Sequence, residues 1–118
     1  MNLETIGLED VTIDFDRLSA IMEDIGFVLA GQWDYERVTF DRKIQKQGDV
    51  YYLRIQAYAV EGEIDSRHTV VKMITPILGK HYYPHGVEYG DGEYFPADVV
   101  STSKNLLSKV SKAVQMVQ

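Results

Sequence analysis

The chain has 118 residues, a formal net charge of −6, a pI near 4.9 and no cysteine; 45% of its residues are hydrophobic and 25% charged. That composition is globular, and the length fits one domain over residues 1–118, too short for two independent cores. Absence of cysteine excludes disulfides and thiolate metal sites. The acidic balance, with basic residues scattered outside the last helix, opposes nucleic-acid binding.

The opening stretch MNLETIGLEDVTIDF carries early acids, no basic leader and no apolar core of signal-peptide length. No apolar run approaches the roughly 18–20 residues needed to cross a bilayer. A cytoplasmic protein without a membrane partner is expected.

Taken in order, Glu9–Asp14 alternates Val11 and Ile13 with polar residues, the period of a short half-buried strand. Asp14 then stands as N-cap of a helix reaching about Ile25, with Phe15, Leu18, Ile21, Met22 and Ile25 on one apolar face. Gly26 suits the left-handed position that ends it. Phe27–Ala30 reads as a short strand, and Trp33–Glu36 either continues it or carries the bend that follows.

Arg37–Ile44 alternates as an antiparallel strand, with Val38, Phe40 and Ile44 facing inward and Arg42 breaking the pattern. Gln45–Asp49 is expected as a hairpin loop with Gly48 at positive φ. The next strand divides by parity. Tyr51, Leu53, Ile55, Ala57 and Ala59 form a core face, while Tyr52, Arg54, Gln56 and Tyr58 form a polar but aromatic face. Glu61–Arg67 is a turn, and Thr69–Leu78 a return strand ending near Pro76.

Lys80–Pro96 is an irregular segment dense in tyrosine, expected to pack on the core. From Ala97 or Ser101 onward the pattern is helical, with Leu106, Leu107, Val110, Ala113, Val114 and Val117 in a stripe. Ser111 falls on its wet side, and Lys109 and Lys112 complement the C-terminal end of the dipole. The order β-α-β-β-β-β-α predicts an α+β fold: a mostly antiparallel, curved sheet of TBP-like or helix-grip type, with both helices on one face.

Candidate chemistry is sparse. His81 and His85 are four apart, a metal-ligand spacing on a helix, with Glu88 and Asp91 as candidate oxygen ligands, but Pro84 opposes a helix there. Asp65 and His68 read equally as a general-base pair or as turn residues. The glycines of Gly86–Gly92 follow no βαβ unit, and their acidic neighbours repel phosphate. No cofactor is called for.

The aromatic residues carry more weight. Tyr52, Arg54 and Tyr58, with Trp33 nearby, make a face that no helix covers, and Tyr, Trp and Arg are the residues of interface hot spots. A self-associating, non-catalytic homodimer is the leading expectation. The alternative is a protein holding a small apolar ligand between sheet and last helix, with His81, Tyr82 and His85 lining or gating the space. A metal-assisted hydrolase using His81 and His85 ranks third.

Gly31-Gln32-Trp33-Asp34-Tyr35, Phe40-Asp41, Tyr52-Leu53-Arg54, Glu61-Gly62 with Asp65, Thr69-Val70-Val71-Lys72, and Lys80-His81 with Tyr83 and Gly86 follow one another along the chain. In this order they resemble the YugN-like proteins of Bacillus and its relatives, with Ala30 standing where the family has glycine. The resemblance implies a small cytoplasmic protein of firmicutes. It carries over no catalytic residue, substrate or cofactor.

Overall fold

The structure is a computed structural model describing residues 1–30, 36–62, 64, 69–90 and 92–118. The elements are β1 (Thr12–Asp14), α1 (Phe15–Asp24), β2 (Val28–Leu29), β3 (Arg37–Lys46), β4 (Asp49–Glu61), β5 (Val70–Met73), β6 (Ile77–His81), β7 (Val87–Glu88) and α2 (Ala97–Met116). All strand pairs are antiparallel, in the order β1-β5-β4-β3-β2, with β6 beside the first half of β4 and β7 outside β6. The expected α+β architecture is therefore present: an open antiparallel sheet with two helices.

α1 starts and stops for local reasons. The Asp14 carboxylate accepts from the Arg17 N–H at 3.2 Å, capping the first turn. At the other end the Gly26 N–H bonds the Glu23 carbonyl and the Phe27 N–H the Met22 carbonyl, a Schellman closure with Gly26 at φ +88°. Arg42 completes this end. It occupies an inward position of β3, and its guanidinium donates to the Ile25 carbonyl. A cation there opposes the negative pole of the helix dipole, which explains a charge in the apolar parity of β3.

β3 and β4 are joined by a tighter hairpin than expected. β3 continues to Lys46, paired with Asp49, and the turn is Gln47-Gly48 alone. Both residues have positive φ, +49° and +84°, as a type I′ turn requires.

The expected return strand is broken. β5 pairs with the second half of β4 and β6 with the first half, with Ile74-Thr75-Pro76 between them. Pro76 has no N–H for a ladder, and its carbonyl instead accepts from Leu3. This lets the N-terminal segment lie along Ile77 as a single bridge. The irregular stretch after Lys80 also contains order: β7 turns back onto β6.

The core lies on the odd-numbered face of β4. Tyr51, Leu53, Ile55 and Ala57 are buried there with Val38, Phe40, Val71 and Met73. Leu18 and Met22 of α1, and Val99, Leu107, Val110 and Val114 of α2, close over them in the same cluster. Phe95 tilts against Tyr51 with ring centroids 6.0 Å apart.

α2 begins at Ala97 with Pro96 in the N-cap position and runs to Met116, so its last turn contains no lysine. Lys109 and Lys112 thus stand back from the pole they were expected to complement. Two serines on α2 are buried. Ser103 Oγ donates to the Val99 carbonyl, and Ser111 Oγ donates to the Ile6 carbonyl, both at 2.9 Å. Ser111 belongs to the packed side of the helix, where its bond ties the N-terminal segment to α2.

Candidate interaction surface

The opposite, even-numbered face of β4 carries no helix. Register places Lys43 beside Tyr52, Asp41 beside Arg54, Thr39 beside Gln56 and Arg37 beside Tyr58, with Lys72 of β5 on the far side of Tyr58. Side chains directly opposite on one face of an antiparallel pair touch, so these pairs are the units of the surface.

The centre of the surface is a fixed guanidinium. Arg54 Nε donates to Asp41 Oδ1 at 2.9 Å and Nη2 to Oδ2 at 3.0 Å, a two-point contact that fixes the plane of the fork. The hydrogen bond to Asp41 holds the Arg54 guanidinium above its ordinary pKa, against an opposing effect of burial. Beside it, the Gln56 amide donates to the Thr39 hydroxyl at 3.1 Å.

Part of the segment after β6 folds over this face. The Tyr89 ring lies 5.0 Å from the Arg54 guanidinium carbon, within cation–π range. It seats on Gly79, where a Cβ would stand 2.5 Å from Tyr89 Cε1 and 2.6 Å from Val87 Cγ1. Only a residue without a side chain permits this approach. Burial pushes the Tyr89 phenol up to about 12, with Arg54 opposing and Asp41 and Tyr52 adding to the rise. Its hydroxyl is shielded and has no hydrogen-bond partner among the described residues.

His81 closes the row next to Tyr52, edge-on with ring centroids 6.1 Å apart. Tyr82 has the opposite parity. Its ring lies 5.1 Å from Lys80 Nζ and its hydroxyl donates to Glu93, which pushes the phenol up to about 12. His85 is exposed in the turn between β6 and β7. The structure therefore does not bring His81, Tyr82 and His85 to one place. Among the described residues no three His, Asp or Glu side chains are grouped so as to hold a metal ion. Between sheet and α2, Phe40, Leu53, Ile55, Leu106 and Val110 are all buried in one cluster. Trp33, Asp65, His68 and Asp91 lie outside the described residues.

Of the surface residues expected from sequence, Tyr52, Arg54 and Tyr58 do share one uncovered face. Asp41, Gly79 and Tyr89 are not among the residues the sequence places on this surface. Asp41 was legible in principle from the β3–β4 register, but the seat of Tyr89 on Gly79 depends on how the distant loop returns.

The fold and this surface define a class: an α+β domain with an open antiparallel sheet, helices on one side and a charged aromatic face on the other. Residues 3–111 match the model of the YugN-like family, and the chain belongs to that family. It is 48% identical over 112 residues to the uncharacterised protein YlbA of Bacillus subtilis, covering 95% of this chain and 93% of YlbA. It is 32% identical over 71 residues to the uncharacterised protein YugN of the same organism, covering 60% of this chain and 53% of YugN. The crystal structure of the uncharacterised conserved protein YugN from Geobacillus kaustophilus superposes with a TM-score of 0.86 at 50% identity, covering 99% of this chain and 97% of that one. No helix among the described residues is long and apolar enough to cross a membrane.

Proposed function

We propose that this protein is a cytoplasmic, non-catalytic interaction protein that associates with a second copy of itself through the uncovered sheet face. The observation that carries this reading is the Arg54 fork, immobilised by Asp41 beneath Tyr89 and flanked by Tyr52 and Tyr58. A side chain already fixed loses little rotamer entropy when a partner lands on it. Exposed Val28 and Val60 add apolar area to the rims of the face.

Arg37, Lys43, Arg54 and Lys72 share this face with Asp14, Asp41 and Glu61, and Asp10 pairs with Lys72, so the face is close to balanced; each copy as a whole carries a formal −6, and two copies therefore repel one another electrostatically. Self-association through it is therefore expected to strengthen as salt rises. Sedimentation velocity at micromolar concentration tests this. A dimer weakened by Tyr58→Ala and by Arg54→Glu supports the reading, and a clean monomer at all salt concentrations, unchanged by either substitution, overturns it.

A further inference from the structure

A second surface lies at the far edge of the core layer. The N-terminal segment 1–6 and α2 face each other across a groove of about 840 Å³. Leu107 lies at its base, Lys104, Ser108 and Lys112 run along the helix wall, and Asn2 and Glu4 stand on the opposite wall.

The wall formed by residues 1–6 is an unfinished strand edge. Leu3 N–H bonds the Pro76 carbonyl and Leu78 N–H the Met1 carbonyl, each at 2.8 Å, so that Asn2 faces Ile77 as an antiparallel bridge. In that pattern the N–H and C=O of Asn2 point away from β6. Neither the main chain of Asn2 nor that of Glu4 bonds to any described residue. Such an edge is a template for a further strand.

The helix wall is cationic within an acidic protein. Lys104 and Lys112 are exposed and make no ion pair with a described carboxylate, whereas Lys46, Arg54, Lys72 and Lys80 all do. Among the described residues Glu4 is the one carboxylate lining the groove, and it is not within ion-pair distance of either lysine. The two lysines are eight residues apart on a helix, about 12 Å along its axis. On an extended chain, residues i and i+4 share a face and lie about 13 Å apart.

We propose that this groove binds an extended acidic peptide of a partner protein by strand addition. The peptide pairs with the edge at Asn2 and Glu4, places acids at i and i+4 against Lys104 and Lys112, and turns the residue between them toward Leu107. Strand addition draws affinity from main-chain bonds and specificity from alternate side chains, and the lysine spacing sets the second.

The test is selection from a randomised library of linear nonapeptides on the intact protein, with Lys104→Glu/Lys112→Glu as the counter-target. Enriched peptides are expected to carry Asp or Glu four apart. They should bind the double variant at least tenfold more weakly, lose affinity as salt rises, and shift the amide resonances of residues 2–6 and of α2. N-methylation of alternate peptide amides should abolish binding without touching the protein. Should the double variant fail to fold, Lys104→Gln/Lys112→Gln serves in its place. The proposal is overturned if nothing is enriched over the counter-target, if enriched peptides lack the acid spacing, or if the shifts fall on the Arg54 and Tyr58 face instead.

Discussion

At the scale of single residues, the charged and small side chains that break a pattern are the informative ones. Arg42 interrupts the apolar parity of β3 because it serves the end of α1, donating to the Ile25 carbonyl. Gly79 interrupts β6 because Tyr89 sits where its side chain would be. Tyr89 itself keeps a shielded hydroxyl without a partner among the described residues, and a buried polar group left unsatisfied costs about 1–3 kcal/mol. Tyr89→Phe retains the ring over Arg54 and removes that cost, so it should leave stability unchanged or raise it by about 1 kcal/mol. Its effect on pH dependence has a definite sign. The folded phenol is pushed up to about 12 from an ordinary value of 10.0. The folded state therefore holds its proton more tightly than the unfolded state, and this contribution is present below pH 10.0 and lost as pH rises toward 12. Tyr82 behaves in the same direction through Glu93. Urea titrations between pH 9 and 12 should show a shallower alkaline loss in Tyr89→Phe than in the parent, and a shallower one still with Tyr82→Phe added; equal slopes in all three would contradict this assignment.

At the scale of elements, the central hairpin and the helix ends are set by local chemistry, and one of them is not at its optimum. The Gln47-Gly48 turn places a glutamine at φ +49°, a conformation that asparagine tolerates far better. Gln47→Asn should stabilise the protein by about 0.5–1 kcal/mol, by analogy with other turn optimisations, and a rise in the denaturation midpoint without a change in slope would show it. β2 presents the reverse case. Its two residues, Val28 and Leu29, are 69% and 55% exposed, so this edge strand contributes little to the core, and Val28, opposite Asp41, leaves apolar surface at the rim of the open face. Phe27, immediately before it, is the residue of that run that is buried.

At the scale of the whole molecule, β4 is the member on which everything else depends. It pairs with β3 along ten residues on one side, and with β6 and then β5 on the other. Its odd-numbered side chains from Tyr51 to Ala57 are the floor of the core, and its even-numbered ones build the uncovered face. Amide hydrogen exchange should accordingly be slowest in residues 51–57, which open only with global unfolding, and fastest in β2 and β7. A slowest-exchanging set located in α2 instead would show that the helix layer, not the sheet, is the last structure to open.

Much of this architecture is written in periodicity. The parity of β4, the Asp14 cap, the Gly26 stop and the stripe of α2 are consequences of residue spacing, and each needs only its own neighbours along the chain to be legible. The separate faces of β4 follow directly, which is why Tyr52, Arg54 and Tyr58 were placed together from sequence. The break at Ile74-Thr75-Pro76 is harder to read, because a β-type run such as Val70–Leu78, interrupted only by Lys72, Thr75 and Pro76, looks the same whether it stays on one partner segment or steps to the next. The burial of Ser111 is not legible in the stripe of α2, because it depends on a carbonyl 105 positions away. What the amino-acid sequence determined by itself is the two helices, the strands β1 to β4, the two faces of β4 and the membership of the YugN-like family. Only the tertiary structure decided that Tyr89 returns to cover Arg54, that residues 1–6 form an edge beside α2, and that two lysines there face a groove. Those arrangements join segments far apart in the chain, where closure geometry and packing, rather than local spacing, select the partner.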